Sequence, residues 1–176
     1  KCFTTVFQDF KIYAASLGEN ILLHSIESTD DKIKVYSAVK SSGLSEKVES
    51  LENGIDSQLT KEFDDAGIFM SGGEFQKTAV ARVFANDAPV AILDEPSSAL
   101  DPISEYEMFE NMNAACGDKT VIFISHRLSS AVMADKIYML ENGKIVEEGT
   151  HRELMDMNGK YAEMFRIQAE KYREAD

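Results

Sequence analysis

Cysteine is nearly missing from this chain of 176 residues: Cys2 and Cys116 are the only two, far apart in sequence. They make neither a disulfide framework nor a CxxC metal or redox motif. Histidine is equally scarce, with His24, His126 and His151 alone, which argues against a Cys/His zinc site. No apolar run approaches the roughly 18 residues that a membrane-spanning helix needs, and the N-terminus shows no signal-peptide pattern. Positive charge is in deficit, with 18 Lys+Arg against 31 Asp+Glu and a net charge of −13. So acidic a chain is a poor partner for nucleic acid or an anionic membrane face, because neither phosphate array attracts it. What remains is 44% hydrophobic and 28% charged, the balance of a folded domain with a sizeable core. The chain opens on Lys1 rather than Met, which reads as a piece of something larger. The expectation at this level is a soluble, intracellular, acidic domain.

Proline is rare too, and Pro89, Pro96 and Pro102 fall in one short stretch. Val90-Ala91-Ile92-Leu93 is a continuous apolar run closed by Asp94-Glu95-Pro96, and Val121-Ile122-Phe123-Ile124 is another, closed by Ser125-His126-Arg127. Between them, Ile103, Tyr106, Met108-Phe109, Met112 and Ala115 recur at close to helical spacing behind Asp101-Pro102, a cap residue followed by proline at the first helical position. Strand, helix, strand is a βαβ unit, and strands apolar on both faces predict a covered parallel sheet. Ligands of such sheets sit beyond the carboxyl ends of the strands, where this chain places Asp94, Glu95 and His126.

Other signals are local. Asn142-Gly143, flanked by Lys136–Glu141 and Lys144–Glu148, predicts a tight hairpin. Thr150-His151-Arg152-Glu153 predicts a capping box on a short helix, with His151 solvated in its first turn. After Asn158-Gly159, the stripe Tyr161, Met164, Phe165, Ala169 and Tyr172 predicts a final helix packed by one face. Residues 30–59 read as helical and polar, with breaks at Ser41-Ser42-Gly43 and Asn53-Gly54, and Asp64-Asp65 reads as a solvated loop. Ser71-Gly72-Gly73-Glu74 is a second capping box, on a helix to about Phe84. Two glycines in its first turn cost helix stability, and close approach of a ligand backbone or phosphate is a reason to keep them.

In this order the segments resemble the nucleotide-binding domain of ATP-binding cassette (ABC) transporters. Met70-Ser71-Gly72-Gly73-Glu74 is similar to the signature sequence, Val90 to Glu95 to the Walker B strand with its glutamate, and Ser98-Ala99-Leu100-Asp101 to the D-loop. His126 stands at the H-loop position and Val6-Phe7-Gln8-Asp9 resembles the Q-loop. Ser16 to Ile21 and Gly149 to Leu154 are similar to flanking segments of exporter-type members. The resemblance runs along essentially the whole chain and implies a P-loop NTPase-like α/β fold: a parallel sheet core, a helical subdomain, and a C-terminal hairpin with helices. It implies one incomplete nucleotide-binding domain over 1–176, with 9–86 mainly the helical subdomain and 87–176 the catalytic core and C-terminal helices. The P-loop G-x-x-x-x-G-K-[ST] has no match in the sequence: the Gly-Lys pairs Gly143-Lys144 and Gly159-Lys160 are followed by Ile and Tyr, without glycine five residues earlier. The expectation is a chain cut between P-loop and Q-loop, with an uncovered apolar sheet surface, negligible hydrolysis on its own, and marginal stability or self-association.

The same resemblance implies ATP and Mg²⁺ as ligands, with Asp94 and Gln8 at the metal. Glu95 would be the general base, His126 the γ-phosphate contact, and Ser71, Gly72 and Gly73 the seat of the γ-phosphate of ATP held by an opposed subunit. Gln8 would also report to the membrane domain, and Asp101 would act across the dimer interface. Partners would be transmembrane permease domains and a second nucleotide-binding domain, head to tail, at the cytoplasmic face of the cell membrane. Taken singly, Asp94-Glu95-Pro96 is an acidic turn after a buried strand, Ser71 a plain N-cap and His126 a structural histidine. Glu74 replaces the commoner glutamine, with its carboxylate turned back toward the N-cap amide, and Met70 replaces leucine. Two other readings stay open: a soluble ABC ATPase of DNA repair or translation, which the −13 charge disfavours, and a non-catalytic interaction module that kept the fold.

Overall fold

A computed structural model of the chain describes residues 2–61 and 67–173, with side chains to residue 170. The expected Asp64-Asp65 loop and the side chain of Tyr172 lie outside the described residues. The chain divides into two compact units, Lys1–Ile124 and Ser125–Asp176.

The first unit holds a three-stranded parallel sheet, β1 (Phe3–Val6), β2 (Val90–Asp94) and β3 (Thr120–Ile124), in the order β1-β2-β3. Register aligns Val6 with Leu93 and Asp94 with Ile124, so all three strands point their carboxyl ends the same way. Parallel pairing needs a crossover. Between β2 and β3 it is α5 (Pro102–Ala115); between β1 and β2 it is the helical segment α1 (Leu17–Leu22), α2 (Thr29–Ser41), α3 (Ser45–Ser50) and α4 (Gly72–Ala85).

Three of these four helices, α1, α2 and α4, start where the sequence offers caps. Ser16, Ser28 and Ser71 each accept from the backbone N–H three residues on, and Glu19, Asp31 and Glu74 return the bond. α2 ends at Ser41 with Ser42 as its C-cap, Gly43 takes φ 70° and Gly54 takes φ 51°, at the two breaks read from the sequence. Leu17, Ile21, Val35, Ala38, Val39, Leu44, Val48, Ile55, Leu59, Met70 and Ala81 form one buried cluster beneath them. Met70 therefore packs in that core rather than toward a ligand. At the other end of α4, the Lys119 ammonium donates to the carbonyls of Val83 and Asn86, capping the orphan acceptors of the last turn.

One sheet face is covered and the other is not. Val6, Ala91 and Leu93 are buried, whereas on the opposite face Ile122 and Ile124 are about half exposed, at 50% and 52%, and Phe3 is exposed. β3 thus lacks the cover on both sides that its unbroken apolar run alone predicts, in keeping with the uncovered apolar sheet surface also expected from the sequence.

In the second unit, α6 (Leu128–Ala131) is a single turn, and β4 (Ile137–Glu141) and β5 (Lys144–Gly149) form the expected antiparallel hairpin. Asn142 and Gly143 take φ 49° and 73°, as its two-residue turn requires. α7 (His151–Met157) opens on the Thr150–Glu153 capping box, and α8 (Lys160–Arg173) follows the left-handed Asn158. The Glu147 carboxylate on β5 accepts from the N–H groups of Lys160 and Tyr161 at 2.6 and 2.9 Å, so a side chain from the hairpin caps α8. His151 is not simply solvated. Its Nδ1 lies 2.9 Å from the hydroxyl of buried Tyr161, and its ring packs on Phe165 with centroids 4.9 Å apart. α7 packs against α8, and the His151 ring lies on the face they share.

Candidate functional site

β2 is buried through Ala91 and Leu93 and delivers Asp94, its last residue, to the carboxyl edge of the sheet. Glu95 then leaves the strand at φ 47°, in the left-handed region that a residue with a Cβ enters at a cost of about 1–3 kcal/mol. Its N–H donates to the Ile124 carbonyl at 2.9 Å, and its own carbonyl accepts from the Ser98 N–H at 3.3 Å. Gln8 follows β1 by two residues, and its amide Nε2 donates to Glu95 Oε2 at 3.0 Å. Adjacent parallel strands thus bring Gln8, Asp94 and Glu95 to one end of the sheet, the end where such sheets bind ligands.

The second element is the first turn of α4. Ser71 and Gly72 are exposed at this helix N-terminus, where backbone N–H groups and the helix dipole favour an anion. Glu74 does not spread its charge over it. Its carboxylate accepts from the Ser71 N–H at 2.7 Å and pairs with Lys47 at 3.2 Å. The two glycines differ in surroundings. A Cβ on Gly73 would lie 3.4 Å from both the Ala99 carbonyl oxygen and Leu100 Cδ2, whereas one on Gly72 would meet only Ala99 Cβ, at 4.0 Å. Gly73 thus lies against the loop between β2 and α5, where a Cβ would just reach van der Waals contact, whereas Gly72 faces more open space.

Of the remaining expected residues, Asp101 caps α5. Its Oδ1 accepts from the N–H groups of Ile103 and Ser104, each at 3.0 Å, ahead of Pro102 at the first helical position. His126 belongs to the second unit, two residues beyond β3, and its carbonyl accepts from Gln168 Nε2 at 2.8 Å. No described group of three or more His, Cys, Asp or Glu side chains could hold a metal ion by itself.

Two further residues were not legible as functional. Gln76, only 1% exposed, stands in the buried stripe Gln76, Ala79, Val80 and Val83 of α4. Its Nε2 donates to the Glu95 carbonyl and to Ser98 Oγ, both at 3.0 Å, and its Oε1 accepts from the Ala99 N–H at 2.7 Å. A polar residue on the apolar stripe of a helix was the available signal. Arg82 donates to the Lys11 carbonyl at 2.7 Å and the Asn20 carbonyl at 2.9 Å, tying the segment after Gln8 to α1; burial lowers the pKa of its guanidinium. Beside α4, Phe10, Ile12, Phe69 and Phe75 line an apolar groove, with Phe69 82% exposed and packed edge-on against Phe75.

The capping carboxylates share one electrostatic signature. Backbone donation from Ser16 and Thr150 holds Glu19 and Glu153 below the usual carboxylate range, and the Ser28 and Ser104 side chains do the same for Asp31 and Asp101. Burial pushes Glu74 up, but the bonds from Ser71 and Lys47 together outweigh it and leave the carboxyl lowered. A carboxyl whose pKa falls on folding adds stability that is fully present above its unfolded pKa and is lost as pH falls through the folded one. We therefore expect the thermal unfolding midpoint of the chain to hold from pH 7 to about 5 as far as these groups contribute, and to drop below about pH 4. Circular dichroism melts across that range check it; a midpoint unchanged on acidification would contradict it.

A parallel sheet with two adjacent carboxylates and an amide at its carboxyl edge, joined to a glycine-opened helix, is the arrangement of an α/β protein that binds its ligand beyond the strand ends. The family described as ABC transporter matches residues 2–98, more than half of the chain, and the chain belongs to it. It is 39% identical over 163 residues to a multidrug export ATP-binding/permease protein of Staphylococcus aureus (strain NCTC 8325 / PS 47), covering 93% of this chain and 27% of that one. It is 38% identical over 164 residues to an ATP-dependent lipid A-core flippase of Ralstonia nicotianae (strain ATCC BAA-1114 / GMI1000), with the same coverage. Among solved structures it is similar to a bacterial Atm1-family ABC exporter with ATP bound, at TM-score 0.82 and 31% identity over 96% of this chain and 28% of that one. The chain spans about a quarter of the length of these relatives. No helix among its described residues is long and apolar enough to cross a membrane.

Proposed function

We propose that this chain is part of the ATP-binding segment of an ABC exporter, contributing the catalytic carboxylates of one ATP site and the signature helix of another. The observation that carries this is the strand-end cluster: Asp94 closing β2, Glu95 turned out of it, and Gln8 bonded to the Glu95 carboxylate at 3.0 Å. Phosphoryl transfer to water asks the protein mainly for positioning and charge stabilisation. Glu95 is the general base that takes the proton of the attacking water, and Gln8 orients it until the substrate arrives. Ser71, Gly72 and Gly73 offer the exposed first turn of α4 to the γ-phosphate of ATP held by an opposed copy, and Asp101 acts across the same interface. A further segment of the polypeptide supplies the P-loop.

The residues present suit Mg²⁺. Asp94 and Gln8 are hard oxygen donors, and one or two such groups with substrate phosphates are what this ion accepts, so no all-protein cage is needed. Asp94 and Gln8 would hold the ion, which would supply positive charge to offset that of the transferring phosphate. The similarity to fused export ATP-binding/permease proteins supports transmembrane permease domains as partners and the cytoplasmic face of a membrane as the place of work. The groove of Phe10, Ile12, Phe69 and Phe75 is the apolar surface we assign to the permease contact. Chelation of divalent cations is expected to abolish ATP hydrolysis by the intact transporter, the whole polypeptide that carries this chain. Asp94→Asn is expected to raise the Mg²⁺ concentration needed for half-maximal rate by about tenfold or more. An unchanged Mg²⁺ dependence in that variant would contradict the assignment.

A further inference from the structure

We infer that Gln76 is a positioning residue for the general base, coupling the signature helix to the catalytic loop within one subunit; this rests on the reading of Glu95 proposed above. The geometry that points to it is a buried amide with both ends committed. Nε2 holds the Glu95 carbonyl and Ser98 Oγ, and Oε1 holds the Ala99 N–H, so a single side chain on α4 grips the loop at three positions. Glu95 sits at φ 47°, a conformation that persists only where surrounding bonds over-determine it. The strand supplies one such bond, Glu95 N–H to Ile124 carbonyl, and on the peptide that follows the Glu95 Cα the carbonyl accepts from Gln76 Nε2 at 3.0 Å, closer than the Ser98 N–H at 3.3 Å.

The steric contacts reinforce the polar ones. Gly73 leaves its first turn close against the Ala99 carbonyl and Leu100, so the turn that carries Ser71 and Gly72 rests on the loop that Gln76 grips. A shift of that turn on meeting a phosphate is therefore transmitted to the backbone of Glu95 through a side chain that touches neither ligand. Because the signature of one subunit serves the opposed ATP site, Gln76 links occupancy of one site to the geometry of the base in the other.

Substitution of Gln76 by methionine keeps the volume and the apolar stripe while removing all three bonds; Gln76→Glu keeps the acceptor for Ala99 and removes the donor to Glu95. In the intact transporter, both are expected to lower kcat for ATP hydrolysis about 10- to 100-fold, the scale of a small misplacement of a catalytic group. Affinity for ATP, measured by equilibrium binding, stays within about twofold, because the nucleotide contacts are elsewhere. The two substitutions are then combined with Glu95→Gln. A Gln76 variant adds no further loss on that background if it acts through Glu95, since residues that work as a unit are not additive. Wild-type kcat in a folded Gln76→Met transporter would overturn the inference, as would a full additional loss on the Glu95→Gln background. Retained turnover in Glu95→Gln alone would instead overturn the reading of the base itself. A thermal melt and Gln76→Asn, a shorter amide expected to recover part of kcat, separate positioning from misfolding. Equal loss in Gln76→Asn and Gln76→Met with a collapsed melting midpoint would assign Gln76 to folding alone.

Discussion

Glu95→Gln in the intact transporter is expected to lower the steady-state rate of ATP hydrolysis by about 10²–10⁴-fold, the contribution of a positioned general base. The substitution is nearly isosteric, and the bond from Gln8 Nε2 to the Glu95 side chain can be kept by the amide oxygen of the new residue. The Glu95 backbone bonds to Ile124, Ser98 and Gln76 involve only main-chain atoms of residue 95 and are untouched. Stability and ATP affinity therefore remain close to wild type, and what disappears is the ability to accept a proton. Filter-binding of labelled ATP alongside phosphate release makes the comparison. Proportional loss of binding and turnover would mean that the carboxylate serves the fold or the ground state, not the chemical step.

The second large effect concerns the two glycines of α4, which the structure separates. Gly73→Val is expected to destabilise the protein by about 1–3 kcal/mol, the cost of forcing extra methyl groups into a filled site. Its Cβ alone would already touch the Ala99 carbonyl oxygen and Leu100 Cδ2, each at 3.4 Å, so the two γ carbons are expected to press on that loop. Gly72→Ala meets only Ala99 Cβ at 4.0 Å and gains up to about 1 kcal/mol of helix propensity, so its stability is unchanged or raised. Its hydrolysis falls nonetheless if the exposed first turn receives a phosphate, because the added methyl group stands at that surface. Urea unfolding of both variants with a parallel turnover assay resolves the two roles. A Gly73→Val protein as stable as wild type would contradict the packing account, and full turnover in Gly72→Ala would contradict the phosphate seat.

How much of this the sequence could reveal follows from how local each feature is. The caps at Ser71, Asp101 and Thr150, the Asn142-Gly143 turn, β2, β3 and the helix between them depend on neighbours within a few residues, and they stand where the sequence reading put them. The carboxylates at the end of β2 were legible because an unbroken apolar run followed by Asp94-Glu95 can only place them at a strand terminus. β1 was not legible. Phe3–Val6 is four residues long and becomes a strand only by pairing with β2, far along the chain. Nor could sequence place the Gln76 amide on the Glu95 carbonyl, or show that Gly73 lies against the Ala99–Leu100 loop while Gly72 is more open, since both depend on how α4 meets the loop after β2. The packing of His151 on Phe165 was misjudged for the same reason: composition gives a residue's preference, not its neighbours.

The central claim is that Glu95 and Ser71 of one copy serve different ATP sites. It is tested most directly in paired transporters whose two copies can be mutated independently, using Ser71→Arg and Glu95→Gln as the lesions. With the lesions on separate copies, one composite site keeps its wild-type Glu95 and its wild-type Ser71, and a single-turnover burst of phosphate release is expected. With both lesions on the same copy, each site loses one of the two, and no burst is expected. A burst from the same-copy arrangement and none from the separate arrangement would mean that both residues act at one site, contrary to this account.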